Sequence, residues 1–369
     1  MARTVTLDQL PSRERRSPTV ERPLPPPLPQ GAERRLIDSH GRTIRDLRLS
    51  ITDRCNFRCV YCMEPGVRFA EPESLLTTEE LLRVARATVR LGVEHIRITG
   101  GEPTVRGDLL AILRGVAAIP GVRDVAMTTN GSLADERSLR AWMDAGLRRI
   151  TFSLDAVDPA TVRRMTRARG DAGDTLAAIR TAIRLGLEPV KVNAVVIRGM
   201  NEEEIPRLAA LARDIGFAMR FIEYMPLDSG RRWDPALLVP AAEIIERAGE
   251  AGELTPLGRP TPESTSEDFR FAPGVHAHPR ASIGVIAPVT RPFCGACSRL
   301  RITADGAVRP CLFSLEEFDL RGILRSGCED LDDSLDNALL DAVWSKQAGH
   351  GITADGFVQP DRPMSAIGG

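Results

Sequence analysis

The chain has 369 residues, 43% hydrophobic and 27% charged, an ordinary globular composition with length enough for one large α/β domain and an appendage, or for two to three domains. Lys and Arg number 49 against 50 Asp and Glu, so the net charge of −1 supplies no global basic field and argues against nucleic-acid binding. No apolar run approaches the ~18 residues of a membrane span, which excludes an integral membrane protein, and the N-terminus lacks the apolar core of a secretory signal, so a cytoplasmic location is expected.

Residues 1–33 read as a disordered tail. Arg13, Arg15 and Arg16 precede a polyproline II stretch with Pro23, Pro25, Pro26, Pro27 and Pro29, and proline opposes the amphipathic helix of an organelle transit peptide. Order is expected from about Leu36. The chain then alternates strand and helix: strands over 46–52, 95–99, 122–129, 148–155, 189–197 and 218–225, helices over 79–91, 108–117, 134–145, 174–185 and 202–215. Thr77 or Thr78 is the N-cap of the first helix and Gly186 the residue that ends the fourth. About six βα units with short connections predict a parallel sheet with crossover helices, too few for a closed eight-unit barrel. The expected fold class is therefore α/β, a partial open (βα)6 TIM-type barrel over 34–228. From 229 to 341 the rhythm breaks into a Pro-, Gly- and charge-rich stretch with one helix near 241–248 and a strand near 281–290. Residues 342–369 form a C-terminal extension ending in Gly368-Gly369.

Seven cysteines carry the chemical signal. They are too few and too clustered for a disulfide scaffold in a chain this long, and point to metal or redox chemistry. Cys55, Cys59 and Cys62 follow the first strand. Spacings of four and three would place them on one helix face as a buried stripe, but the position is that of a βα loop, where such architectures keep their chemistry. Three thiols are one short of either a closed zinc site or an all-protein four-iron cluster, so a metal held there keeps one position open. Cys294, Cys297 and Cys311 form a second group of three. By spacing it also suits a zinc ribbon completed by Cys328, His276 or His278. Lys occurs only at 191 and 346, a bias toward Arg to which no function is attached.

Cys55-x-x-x-Cys59-x-x-Cys62 with an aromatic at Tyr61, followed at the end of the next strand by Gly100-Gly101-Glu102-Pro103, resembles the radical S-adenosylmethionine enzymes. "RDLRLSITDRCNFRCVYCMEP", "PFCGACSRLRITADGAVRPCLFS" and the terminal "MSAIGG" together resemble the GTP 3′,8-cyclase family within that superfamily, from about Leu36 to Gly369. The resemblance implies two [4Fe-4S] clusters, held by Cys55, Cys59 and Cys62 and by Cys294, Cys297 and Cys311. The first chelates and splits S-adenosylmethionine to a 5′-deoxyadenosyl radical; the second keeps an iron free for guanine, and its C-terminal region closes the barrel mouth. The radical takes hydrogen from C3′ of GTP, and the carbon radical attacks C8 to give 3′,8-cyclo-7,8-dihydro-GTP, the first step of molybdenum cofactor biosynthesis.

By resemblance, S-adenosylmethionine meets Tyr61, Gly101, Ser153 and Met225, and GTP meets Arg48, Arg97, Thr128, Lys191, Arg299, Leu300 and Arg301. Gly368 and Gly369 reach into the active site and are needed for catalysis. The residues themselves are compatible. Arg48 and Arg97 each sit between two apolar strand residues and so point to the face opposite them, and Arg299 and Arg301 would share one face of a strand. Arg suits bidentate contacts with phosphate. The implied partners are a low-potential electron donor and, downstream, the cyclic pyranopterin monophosphate synthase; a homodimer is compatible. Two other readings stand beside this one: a radical S-adenosylmethionine enzyme that modifies a peptide with an auxiliary cluster, and a zinc-ribbon interaction module on a degenerate barrel.

Overall fold

The computed structural model describes residues 33–168, 172–228 and 230–368. The expectations for the Pro-rich tail (residues 1–32) and for Gly369 lie outside the described residues.

Six strands, β1 (Asp46–Ser50), β2 (His95–Thr99), β3 (Asp124–Thr129), β4 (Arg149–Ser153), β5 (Val190–Val196) and β6 (Ala218–Glu223), pair in chain order and all in parallel. The crossovers are α1 (Thr78–Arg90), α2 (Leu109–Ala117), α3 (Glu136–Asp144), the pair α4 (Pro159–Thr166) and α5 (Gly173–Arg184), and α6 (Ile205–Ile215). The first helix forms where the sequence places it. Leu81, Val84, Ala85 and Thr88 recur at helical spacing and are buried, and Thr77 caps the N-terminus in a capping box with Glu80. The helix α4 has no counterpart in the sequence reading. Its eight residues include two arginines, and what starts it is local: Asp158 accepts from the Thr161 N–H, and proline occupies the first turn.

The C-terminal region adds strands to both edges of the sheet. Past α7 (Ala241–Gly249) come β7 (Leu254–Gly258), β8 (Glu267–Phe271), β9 (Ser282–Ile286), β10 (Arg299–Ile302), β11 (Ala307–Arg309) and β12 (Phe318–Asp319), then α8 (Leu320–Leu324), α9 (Leu331–Trp344) and α10 (Met364–Ile367). The strand order is β12-β11-β10-β1-β2-β3-β4-β5-β6-β9-β8-β7. β9 joins β6 in parallel, β10 joins β1 in parallel, and the outer strands are antiparallel. The sheet thus runs without a break across the expected boundary at 228/229. That boundary and the one at 341/342 remain a proposed division of the chain.

The connection from β9 to β10, residues 287–298, links the two edges of the parallel array. Flat, eight strands would spread over roughly 34 Å. A dozen extended residues reach about 40 Å at most, and this segment must also travel the length of a strand. The sheet therefore curls, with this segment along the open side. The buried Glu223 carboxylate pins its start, accepting from the N–H groups of Val289 and Thr290 at 2.9 Å and from that of Ala241 at 3.0 Å.

Leu47, Leu49, Ile96, Ile98, Ile150, Phe152, Met219 and Phe221 pack into the main core with the helices. Each such side chain contributes roughly 1.5–3 kcal/mol on burial, which lets the alternate positions on the inner face be polar. Among the described residues no helix is long and apolar enough to cross a membrane.

Candidate active site

The first three cysteines lie in the loop after β1 and not on a helix, so the stripe reading fails: over residues 51–63 there is only a single hydrogen-bonded turn, at 59–63, and each thiol is partly exposed. The loop is clamped from several sides. The Arg58 and Val60 N–H groups donate to the Thr166 and Met165 carbonyls at the end of α4 (2.9 Å each), and the Cys62 N–H donates to the Cys59 carbonyl (2.9 Å). Tyr61 donates to Asp155 (2.8 Å), which also accepts from the Val195 N–H (2.9 Å); burial raises the Asp155 carboxyl to about 6.

The Gly-Gly-Glu-Pro segment after β2 packs against this loop backbone to backbone. Gly101 N–H donates to the Thr52 carbonyl and Glu102 N–H to the Arg54 carbonyl, both at 2.7 Å. A Cβ on Gly101 would stand 2.3 Å from the Arg54 oxygen and 2.5 Å from that of Asp53, so only glycine fits. Glu102 is buried and binds outward to β3, accepting from Thr104 and Thr129 hydroxyls and the Asn130 N–H at 2.7 Å each. Ser153 ends β4. Met225, two residues past β6, packs on the small apolar cluster that holds Leu227, Phe313 and Ile367.

The C-terminal tail reaches the same end of the barrel. Ser365 hydrogen-bonds the Cys62 thiol through both its backbone N–H and its hydroxyl. Gly368 lies over Ser50 and Thr99 with φ +73°, and its carbonyl accepts from the Arg301 guanidinium.

The second group stands apart. Cys294 and Cys297 precede the N-terminal end of β10, which pairs in parallel with β1, whereas the first group follows the C-terminal end of β1. The second thiol pair thus lies at the end of the strands opposite the first loop. Cys294 interacts electrostatically with both Cys297 and Cys311. Cys328 is exposed at the approach to α9, near the Ser334 hydroxyl, and His278 is bonded to the Arg213 carbonyl near the end of α6; neither joins this group.

Between the two groups the inner face is a row of cations. Register sets Arg48 beside Arg301 on one side and beside Arg97 on the other. Arg97 donates to the Thr151 hydroxyl (3.1 Å) and the Thr128 hydroxyl (3.4 Å), and Lys191 on β5 lies opposite Thr151. Arg149 is held by Asp124 at 2.9 Å. Burial, reinforced by neighbouring guanidiniums, pushes Arg48 down to about 10, Arg97 to about 9 and Lys191 to about 7. Arg220 on β6 belongs to the same lining and is likewise depressed by burial. The sequence reading missed it, although it sits between Met219 and Phe221 as Arg48 sits between leucines, and the same alternation would have found it. Leu300 is the exception among the expected residues. It is 1% exposed, paired with Leu47 and packed in the outer core, so only its backbone borders the cavity.

Each thiol group fits an iron–sulfur cluster in its donor chemistry: all six cysteines are free, and thiolate is the ligand such clusters take. Among the described residues no three His, Cys, Asp or Glu side chains are set to hold a single metal ion. Burial raises the thiols of Cys55 and Cys62 to about 11 and 12 and that of Cys59 well above its usual value, so the first group awaits a cation to become thiolate. At Cys297 burial acts the same way but is outweighed by Arg299 and Lys346, leaving the thiol at about 7.

Comparison with known proteins agrees with this geometry. Residues 49–212 match the family model of the radical SAM superfamily, and residues 217–352 match the model described as Molybdenum Cofactor Synthesis C. SuiB of Streptococcus suis bound to S-adenosylmethionine shares the fold with a TM-score of 0.57, at 14% identity over 82% of this chain and 68% of that one. The chain is thus a radical S-adenosylmethionine protein with a partial-barrel fold, and that superfamily implies a [4Fe-4S] cluster and S-adenosylmethionine. It is 45% identical to the GTP 3′,8-cyclase of Acidothermus cellulolyticus over 84% of this chain and 86% of that one, and 44% identical to that of Corynebacterium glutamicum over 92% and 91%. The chain belongs to the GTP 3′,8-cyclase family.

Proposed function

We infer that the chain catalyses the radical cyclisation of GTP to (8S)-3′,8-cyclo-7,8-dihydroguanosine 5′-triphosphate, the first step of molybdenum cofactor biosynthesis. The observation that carries this reading is the inward row of Arg301, Arg48 and Arg97, with Lys191 and Arg220, between two separate three-thiol groups. Buried cations that repel one another need an anion, and a triphosphate supplies several charges.

In this reading Cys55, Cys59 and Cys62 hold the first cluster. When bound and reduced, that cluster supplies the electron that splits S-adenosylmethionine to the 5′-deoxyadenosyl radical. Tyr61, Gly101, Ser153 and Met225 border the S-adenosylmethionine. Arg48, Arg97, Lys191, Arg299 and Arg301 clamp the nucleotide, Thr128 orients the Arg97 fork, and the Leu300 backbone lines the wall. Cys294, Cys297 and Cys311 hold a second [4Fe-4S] cluster with one position left for the guanine. Gly368 and Gly369 close the reaction space. A low-potential donor reduces the clusters and the cyclic pyranopterin monophosphate synthase takes the product; a cytoplasmic location belongs to the same proposal.

The test is anaerobic incubation of the reconstituted chain with GTP, S-adenosylmethionine and a strong reductant. Formation of 5′-deoxyadenosine together with a cyclised nucleotide is expected; absence of GTP binding refutes the reading. Arg301→Ala and Arg299→Ala should each weaken GTP binding about ten- to hundredfold, the loss of a charge-assisted contact worth roughly 1.5–3 kcal/mol, as read by equilibrium dialysis.

Affinity should also depend on pH. In the free protein burial brings Lys191 down to about 7, with Arg220, Arg149 and Arg97 acting in the same direction and Asp268 opposing. Triphosphate favours the charged amine and raises that value in the complex. Below pH 7 the amine is already protonated and adds no further pH dependence of its own. Above it, binding must take up a proton, so the Kd should rise by up to about tenfold per pH unit until the value in the complex is reached. Lys191→Arg, protonated throughout, should flatten the profile between pH 7 and 9.

A further inference from the structure

Lys346 is one of two lysines in the chain and is 3% exposed. Its ammonium donates to the Arg299 carbonyl at 2.7 Å and to the Pro310 carbonyl. These oxygens lie two residues past Cys297 and one residue before Cys311, so one amine ties together two chain segments that bear thiols. The groups that act on it most strongly are Cys297, Cys311, Arg299 and Arg42: two thiols and two guanidiniums.

Arg42, 8% exposed, does the same for the third thiol. It is anchored by the buried Asp38 at 2.6 Å and donates to the Cys294 carbonyl at 2.8 Å, the Ala348 carbonyl at 2.9 Å and the Gln347 carbonyl at 2.7 Å. The His350 N–H in turn bonds to the Cys294 thiol. Residues 346–350 thus form a belt about the second group. The two cations, Lys346 in the belt and Arg42 bonded to it, differ in one respect. Arg42 has a carboxylate partner, whereas the hydrogen bonds of Lys346 go to neutral carbonyls. A buried ammonium so placed requires a negative group nearby. Thiolates bound to iron supply one.

We propose that Lys346 is a positioning residue for the second three-thiol site, whose buried charge aligns Cys297 and Cys311 and offsets the negative charge of the iron–sulfur group they carry. The proposal rests on the reading that Cys294, Cys297 and Cys311 hold a cluster. Net charge and hydrogen bonding around the sulfurs set the reduction potential of such a group, and a nearby cation favours the reduced, more negative form.

The test uses the full chain with Cys55, Cys59 and Cys62 changed to serine, so that only the second group can load, reconstituted anaerobically with iron and sulfide. With Lys346 intact, about four iron per chain are expected. No iron at that stage overturns the second-cluster reading, and the proposal falls with it. Given loading, Lys346→Met should shift the redox titration to more negative potential or lose most of the iron, whereas Lys346→Arg should keep both the iron and a potential close to that of the parent. The proposal is overturned when the Met and Arg variants behave alike, whether both titrate as the parent does or both lose their iron.

Discussion

Cys59→Ser is expected to abolish 5′-deoxyadenosine formation and to lower the iron content of the reconstituted chain from about eight to about four atoms. Cys59 sits at the centre of its loop and feels both Cys55 and Cys62. The loop around it is fastened by bonds that do not pass through the thiol: the Arg58 and Val60 N–H groups to α4, Tyr61 to Asp155, and the Gly101 and Glu102 N–H groups to the Thr52 and Arg54 carbonyls. The loop should therefore keep its shape when the thiol becomes a hydroxyl. GTP binding should survive, because the cation row lies deeper on the inner face and is set by strand register. An unchanged yield of 5′-deoxyadenosine from the Cys59→Ser chain would place radical generation elsewhere and overturn the assignment of the first group.

Gly368→Ala should have an effect as large, with a different signature: S-adenosylmethionine cleavage and GTP binding retained, cyclised nucleotide lost. Gly368 has φ +73°, and a Cβ there would stand 2.6 Å from the Thr99 hydroxyl and 3.1 Å from the Ser50 side chain. The left-handed conformation alone costs a non-glycine residue roughly 1–2 kcal/mol. The steric conflict adds to it, because Ser50 and Thr99 sit in strands held by the core and cannot give way. The short α10 is the weaker partner, so the tail leaves and the barrel stays. Without the tail, the Arg301 guanidinium loses the Gly368 carbonyl and the reaction space opens to water. Comparing 5′-deoxyadenosine with cyclised product from the same incubation reads the uncoupling directly. Normal turnover by Gly368→Ala would show that the terminal glycines are spectators.

The elements that were legible beforehand are those whose signal is local. The strand–helix alternation through α6 follows from apolar periodicity, and the first helix starts where a Thr and a Glu three residues later permit a capping box. Corrections at the ends are small: β1 stops at Ser50 and β6 at Glu223, because the residues beyond them turn into the loops that carry the site. The C-terminal strands were largely illegible. β10 is a four-residue strand with two arginines, β11 has three residues, and β7 contains a proline and is exposed at its centre. β10 (Arg-Leu-Arg-Ile) does alternate, but over only four residues, and β7 and β11 show no such pattern; each is a strand because a neighbouring edge offers it hydrogen bonds. Six parallel strands were expected and eight are found: β9, foreseen as a strand near 281–290, and β10 both join the parallel array at its edges.

For the site, the division is similar. The two cysteine groups, the glycine pair and the inward arginines of β1 and β2 are visible as spacing and alternation along the chain, and the family follows from them. That Arg301 lies against Arg48, that Leu300 turns outward, and that the second thiol pair stands at the opposite end of the strands from the first are consequences of how β10 pairs with β1. Lys346 carried no meaning in sequence beyond a bias toward arginine; only the folded chain brings it beside two thiols more than thirty residues away. The sequence by itself determined the local elements, the family and hence the class of chemistry, because periodicity and spacing act over a few residues. The tertiary structure decided which charges meet in the interior, because that depends on strand register between segments some 250 residues apart.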